Sequence, residues 1–473
     1  MKHVTSIPRR FDRRLLSTAV AACLLAAAPH ALSQSVSATL RGQVSVGEQP
    51  VGAASVTATN TETGLSRRVQ TEADGNYTLA GLPPGTYKVE ATGPTGATAR
   101  LVTLQVGQTA TLDMGLAAAA ENIESVTVTA TQLYETRTSE VATYVTPRQI
   151  EALPQNSRNF LAFADIVPGV QFATSGDGAT SELRSGAQSA NGVNVFIDGV
   201  GQKNYVLRGG VSGQTLTRGN PFPQLAIGEY KVITSNYKAE FDQLSSAAVV
   251  AVTRSGTNEF ESKAFYDFTN ENWRASDPIE ARDGKKAESE QKQYGIAFGG
   301  PIIRDKMHFF VTYEGKEFET PDTVSLGEGV PPSAVPPDIQ ALLGPVSAPF
   351  SEDLYFAKID WLAGDDHLLE LTGKHRKESE ISNIGDRNTA QFASDKQNEE
   401  TRIDLRYQYT SARFLNDAHI TYEDADFNPR PVTLANGYRA VTPDRKAIIN
   451  LGGGEEFQDK GQKGWGFQDD LTF

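Results

Sequence analysis

The chain has 473 residues, 39% hydrophobic, 8% aromatic and 22% charged, a folded-protein composition long enough for several domains. Its formal charge of −14 weighs against a nucleic-acid partner, whose phosphates require a basic face. Beyond residue 33 no apolar run approaches the roughly 20 residues of a membrane-spanning helix, a test that a β-barrel escapes because only alternate strand residues meet lipid.

Residues 1–33 read as a secretory signal peptide. Lys2, Arg9, Arg10, Arg13 and Arg14 make a basic start, residues 15–28 an apolar core, and Ala31-Leu32-Ser33 a small-residue cleavage site before Gln34. Val20-Ala21-Ala22-Cys23 has the outline of a lipoprotein box, but the apolar core runs on through Leu24 and Leu25, so cleavage after Ser33 is the reading kept. Cys23 is the single cysteine, and a mature chain starting near Gln34 holds no thiol, disulfide or thiolate metal site.

Residues 34–117 alternate like strands. The runs 38–46, 54–59, 66–71, 77–79, 86–91 and 99–104 are separated by turn signals such as Asp74-Gly75 and Pro83-Pro84-Gly85, which predicts an all-β sandwich of about seven strands. The stretch 74–89 resembles the carboxypeptidase regulatory-like domain. That resemblance implies a carbohydrate-binding-like fold, not bound sugar. No exposed aromatic cluster stands out as a sugar platform, and a spacer role is preferred.

Residues 118–133 form a small-residue linker leading into a β-branched segment: Glu124, Ser125, Val126, Thr127, Val128, Thr129 and Ala130. By itself this segment reads either as the last sandwich strand or as a strand free to join the sheet edge of another protein, where main-chain hydrogen bonds supply affinity. Residues 134–257 form a mixed α/β domain of short apolar runs and one helix start, Thr146-Pro147 followed by apolar Ile150 and Leu153. Asp198-Gly199, after the run 193–197, reads as a tight turn between strands.

From residue 258 the pattern becomes long alternation. Phe260, Ala264, Tyr266 and Phe268 stand opposite Glu259, Glu261, Lys263 and Asp267; Ile403, Leu405 and Tyr407 stand opposite Asp404, Arg406 and Gln408. Similar runs lie around Tyr294, Phe309, Tyr355, Leu369, Ile420 and Trp465, about eight in all. The connections alternate long (269–290, 315–353, 376–399, 424–463) and short (299–306, 362–366, 410–415). Outer-membrane barrels combine short periplasmic turns with long external loops in this way. The acidic group Glu423, Asp424 and Asp426 is read as solvated loop charge.

Read together, Leu183-Arg184-Ser185-Gly186, Phe196-Ile197-Asp198-Gly199, Ala239-Glu240, Thr253-Arg254-Ser255-Gly256 and the run 298–306 resemble the TonB-dependent outer-membrane receptors, most closely the Oar-like subgroup with an N-terminal carboxypeptidase-regulatory-like domain. The resemblance implies a mainly β chain: a sandwich, a mixed α/β plug over 134–257, and over 258–473 the first part of a transmembrane antiparallel β-barrel. It implies that residues 124–130 are the TonB box and that Arg184, Asp198, Gly199, Glu240, Arg254 and Gly256 belong to plug motifs. It further implies an outer-membrane location with the N-terminal domain in the periplasm. The implied partners are TonB with its inner-membrane energising proteins, outer-membrane lipid, and an extracellular substrate, peptide or oligosaccharide. A plugged barrel of this family has about 22 strands, and the chain is therefore read as an N-terminal fragment. The rival reading is an outer-membrane-anchored adhesin or carbohydrate-binding protein without active transport. No cofactor, metal or catalytic residue is expected: His308, His367, His375 and His419 lack ligand spacing, and neither a Gly-x-Ser-x-Gly elbow nor a phosphate-binding loop occurs.

Overall fold

The computed structural model describes residues 36–94, 96–118, 138–155, 157–174, 181–207, 209–238, 241–276, 281, 284, 286, 288–411 and 414–472. The signal peptide, residues 124–130 and Glu240 lie outside the described residues.

The N-terminal sandwich packs two five-stranded sheets on each other. Alternation along Ser55–Asn60 and Asn76–Leu82 sends Val56, Ala58, Tyr77 and Leu79 inward, where they meet Leu40, Val44, Val89 and Leu104. There are ten strands rather than about seven. The added ones include Gln49–Pro50, Met114–Gly115 and Ala117–Ala118, two-residue ladders too short to leave any periodicity in a sequence. Tyr77 and Tyr87 are buried, and their hydroxyls donate to the carbonyls of Leu112 (2.6 Å) and Pro83 (2.7 Å).

The second unit is a five-stranded sheet ordered Val141–Val145, Ile227–Ser235, Ala247–Thr253, Val193–Ile197 and Val200–Gly201. Its helix Pro147–Ala152 starts as the sequence signals: Thr146 and Gln149 form a reciprocal capping box, with Pro147 in the first turn. Val193–Ile197 is buried throughout instead of alternating, because both faces of the sheet are covered. Val195, Val232 and Val249 pack on Phe160, Leu161 and Phe163. On the opposite face Phe196, Ile233 and Val250 pack against Val36 and Val106 of the sandwich.

Eight long strands, from Glu261–Asn270 to Lys460–Thr472, form one antiparallel sheet in which chain neighbours are also spatial neighbours. The sheet is open, since its first and last strands are not paired with each other. Strands reach well past the apolar runs: Met307–Val324 has 18 residues and Gly344–Gly364 has 21. Most of the connection expected over 315–353 is therefore strand, because pairing continues through polar partners such as Glu317 and Ser351. Glu423, Asp424 and Asp426 are likewise strand residues within Leu415–Phe427, not loop charge, and the Glu423 carboxylate takes a 2.6 Å ion pair from Arg402.

Burial along these strands is inverted relative to a soluble protein. Ile296, Val311, Ile359, Leu371, Leu405 and Ile420 are exposed, whereas Glu314, Lys316, Glu352, Arg376, Glu400 and Arg406 are buried. Aromatic residues cluster near both ends of the exposed band, with Tyr294, Tyr313 and Tyr355 at one end and Trp361, Tyr407 and Tyr409 at the other. An apolar belt between aromatic girdles is the exterior of a membrane barrel. Leu405→Arg, in the middle of the belt, is expected to cost about 2–4 kcal/mol when folding into lipid vesicles is followed by urea titration, and Leu405→Val far less.

Candidate functional site

The inner row of the wall carries charges in cross-strand register. Lys316 faces Glu352, which faces Glu378; Arg376 faces Glu400; Lys374 faces Arg402. Taking such groups out of water is costly unless each is paired. Lys374 Nζ lies 2.7 Å from Glu400, Lys316 Nζ 3.5 Å and Arg376 Nε 3.2 Å from Glu352, and Arg376 also pairs with Glu378.

Much of the remaining hydrogen-bonding capacity of this row is met by the inner domain, chiefly its main chain, although Glu352 Oε2 and Arg376 Nη1 keep no hydrogen-bond partner. The N–H groups of Asn220, Arg218 and Leu225 donate to Glu352 (2.7 Å), Glu378 (3.1 Å) and Glu314 (2.5 Å), and the Ser212 hydroxyl donates to Glu400 (2.7 Å). In return Arg376 donates to the Asn220 carbonyl (2.8 Å), Arg402 to that of Gly201 (2.7 Å) and Lys316 to that of Ser157 (2.8 Å). Close approach here requires glycine, because a Cβ on Gly219 would lie 2.0 Å from a Glu352 oxygen. Nearer the short turns a second chain of ion pairs runs Lys358–Glu370–Arg406–Asp417, at 2.8, 2.5 and 2.5 Å.

The residues singled out in the sequence fall around the end of this seat nearest the short turns. Asp198 (φ +50°) and Gly199 (φ +92°) make the two-residue turn between Val193–Ile197 and Val200–Gly201, and the buried Asp198 carboxylate accepts from the Thr253 N–H (2.9 Å) and hydroxyl (2.6 Å). Arg254 donates to the Ile227 carbonyl (3.3 Å) and to Glu151 (3.1 Å). Gly256 lies against the wall, where a Cβ would come within 2.3 Å of the Phe309 carbonyl oxygen. Thus Asp198, Gly199, Arg254 and Gly256 are brought together by one strand end. Arg184 is not among them: it is exposed on the hairpin strand Ser181–Ser185 and paired with Glu182. The charged inner row went unassigned in the sequence reading, although its alternation with the apolar row was visible there.

Below the seat lies a chamber of about 810 Å³ bounded by the sandwich, the inner domain and the wall, with Glu229, Asp198, Arg254 and Lys358 among its lining. Glu229 accepts from the Val106 N–H of the sandwich. Burial pushes its carboxyl up to about 7 from an ordinary 4.5, and the Val106 bond offsets that only in part.

Fold and seat define an outer-membrane β-barrel wall with a plug docked on its inner face. Residues 252–336 match the outer membrane beta barrel domain family and residues 39–117 the carboxypeptidase regulatory-like domain family. The chain is 26% identical over 285 residues to the TonB-dependent transporter Oar of Myxococcus xanthus, which takes in 56% of this chain and 25% of that protein. It therefore spans about a quarter of the length of that relative. The outer membrane transporter YddB from Escherichia coli superposes with a TM-score of 0.50 at 16% identity, over 66% of this chain and 43% of that one, which shows a shared fold. The siderophore receptor PirA from Acinetobacter baumannii gives 0.45 at 16% identity, over 70% and 44%. The chain is thus homologous to the TonB-dependent transporter Oar over 56% of its length, carries an outer membrane beta barrel domain and a carboxypeptidase regulatory-like domain, and has its place in the outer membrane.

Two outcomes follow from this geometry. Arg376→Ala leaves the buried Glu378 without its cation and Glu352 with Lys316 alone, and should loosen the plug by about 3–5 kcal/mol, read as faster hydrogen exchange of the Asn220 amide. For Glu229 burial raises the carboxyl pKa to about 7, so the folded arrangement takes up a proton and gains stability as pH falls from about 7 towards 4.5, although the Val106 bond, which favours the carboxylate, weakens over the same window. Urea stability measured against that of Glu229→Gln should therefore rise as pH falls over that window.

Proposed function

We propose that the complete protein is a TonB-dependent transporter, which binds an extracellular substrate and admits it past the plug with energy relayed by TonB. The observation that carries this reading is the seat itself. The plug is held largely by main-chain hydrogen bonds to a charged wall, with Ala297, Phe310 and Phe356 the buried apolar contacts, so it can be withdrawn and reseated with little apolar unpacking. Residues 124–130 are the TonB box in this reading and pair as a strand with TonB, the inner-membrane energising proteins acting through it. Arg184, Asp198, Gly199, Glu240, Arg254 and Gly256 serve the plug, with Asp198 and Arg254 fastening the strand end from which Gly256 enters the wall. The substrate class is peptide or oligosaccharide. The alternative, a surface adhesin or sugar-binding anchor, draws on the sandwich alone, where both tyrosines are interior and residues 36–118 contain no Trp or Phe to stack on a sugar. Deletion of residues 124–130 in the full-length protein tests the proposal. Capture of the purified periplasmic domain of TonB should be lost while barrel assembly is unchanged; capture undiminished by the deletion sinks the coupling claim.

A further inference from the structure

The sandwich is not suspended clear of the barrel. It touches all three short turns of the wall. At the first turn, the Glu62 carbonyl accepts from the Asn258 N–H (2.9 Å); Asn258 in turn holds Asp305 (2.7 Å), and Gly64 lies against that same Asp305. At the second, the Arg67 guanidinium donates to the Asp365 carbonyl with Asp366 beside it, and Leu362 packs on the sandwich core. At the third, Gly81 rests on Thr410, while Ser37 contacts Gln408 (2.8 Å) and Arg406 (3.1 Å) farther along the strand. Short turns of an outer-membrane barrel face the periplasm.

Two features argue for a built surface. Arg67 is only 3% exposed, on a small domain joined to the plug by a linker. Withdrawing a guanidinium from water is costly, and here the Asp365 carbonyl and the charges of Asp365 and Asp366 offset part of that cost, while Arg67 Nε and Nη2 stay buried without a hydrogen-bond partner. The second feature is the outer face of the plug sheet. Phe196, Ile233 and Val250 are only partly covered by the plug's own Tyr144, Phe241 and Leu244, and Val36 and Val106 of the sandwich complete the cover.

We propose that the carboxypeptidase regulatory-like domain is a periplasmic cap. It docks on the turns 304–306 and 364–367 and on the strand ends at Thr410 and Leu415, latches through Arg67 at Asp365–Asp366, and closes the chamber beneath the plug. Anything leaving the barrel on the periplasmic side, plug segment or substrate, must first displace it. The cap requires the membrane placement but not transport, so it stands or falls independently of TonB coupling.

The test uses the full-length protein in isolated outer membranes. The mature chain expected here has no cysteine, so introduced thiols report alone. Gly64→Cys with Asp305→Cys places the two Cβ atoms about 3.0 Å apart, close enough to link after slight relaxation. A protease site in the linker 119–137 makes the link visible as a sandwich that stays attached after cleavage. The pair is expected to link on mild oxidation, and a pair of exposed Glu48→Cys with Asp305→Cys is not. Closure is read separately from a Ser255→Cys variant, whose thiol lines the chamber, with a bulky polyethylene-glycol maleimide as probe. Labelling should be slow with the cap in place and about tenfold faster in Arg67→Glu, where like charges meet at the latch. Asp366→Arg added to Arg67→Glu should restore protection, which a merely misfolded sandwich would not do. Absence of the Gly64–Asp305 link overturns the docking. A link together with labelling of Ser255→Cys that Arg67→Glu leaves unchanged overturns the closure.

Discussion

A sheet with lipid against one side and charge along the other cannot stand alone. Buried Glu352, Arg376, Glu378 and Glu400 are tolerable only because opposite charges pair across and diagonally between the strands and plug main chain takes up much of the remaining hydrogen-bonding capacity. Wall and plug are therefore energetically one object, even though almost no apolar side chain joins them at the seat. Phe222, Phe310 and Phe356 are the apolar exception, and they lie where the strand Ile227–Ser235 begins.

The choice of main chain as the contacting surface has a consequence for function. A carboxylate accepting a backbone N–H is indifferent to the donor's side chain where there is room for one, so the loop 218–225 can meet the wall with Arg, Asn and Leu and still be satisfied. Such a contact is strong while dry and weakens once water reaches it. A plug that must remain shut at rest and yield under load is well served by bonds with that property.

The sandwich adds a third layer by the same logic applied to apolar surface. The plug sheet has two covered faces, one by its own 3₁₀ segment Phe160–Ile166 and the other by Val36 and Val106 together with Phe241 and Leu244 of the plug itself. That arrangement makes Val193–Ile197 an unbroken buried run, which a sheet wet on one face could not afford.

Much of this was legible in the residues. Thr146, Pro147 and Gln149 announce their helix, Asp198-Gly199 its turn, and the outward rows through Ile359, Leu371, Leu405 and Ile420 a lipid-facing strand, because each depends on neighbours within a few positions or on a period of two. The two-residue strands of the sandwich and the pairing of Glu317 with Ser351 left no local trace, and Glu423 read as loop charge until its partner Arg402 was in view. The sequence by itself determined the membrane-facing surface and the kinds of domain, since alternation and turn chemistry are short-range. Only the tertiary structure decided which carboxylate meets which backbone N–H, that Arg184 stands apart from Asp198 and Arg254, and that Arg67 is buried beneath Asp365. Those contacts join residues as far as 298 positions apart, and no local pattern encodes a partner at that distance.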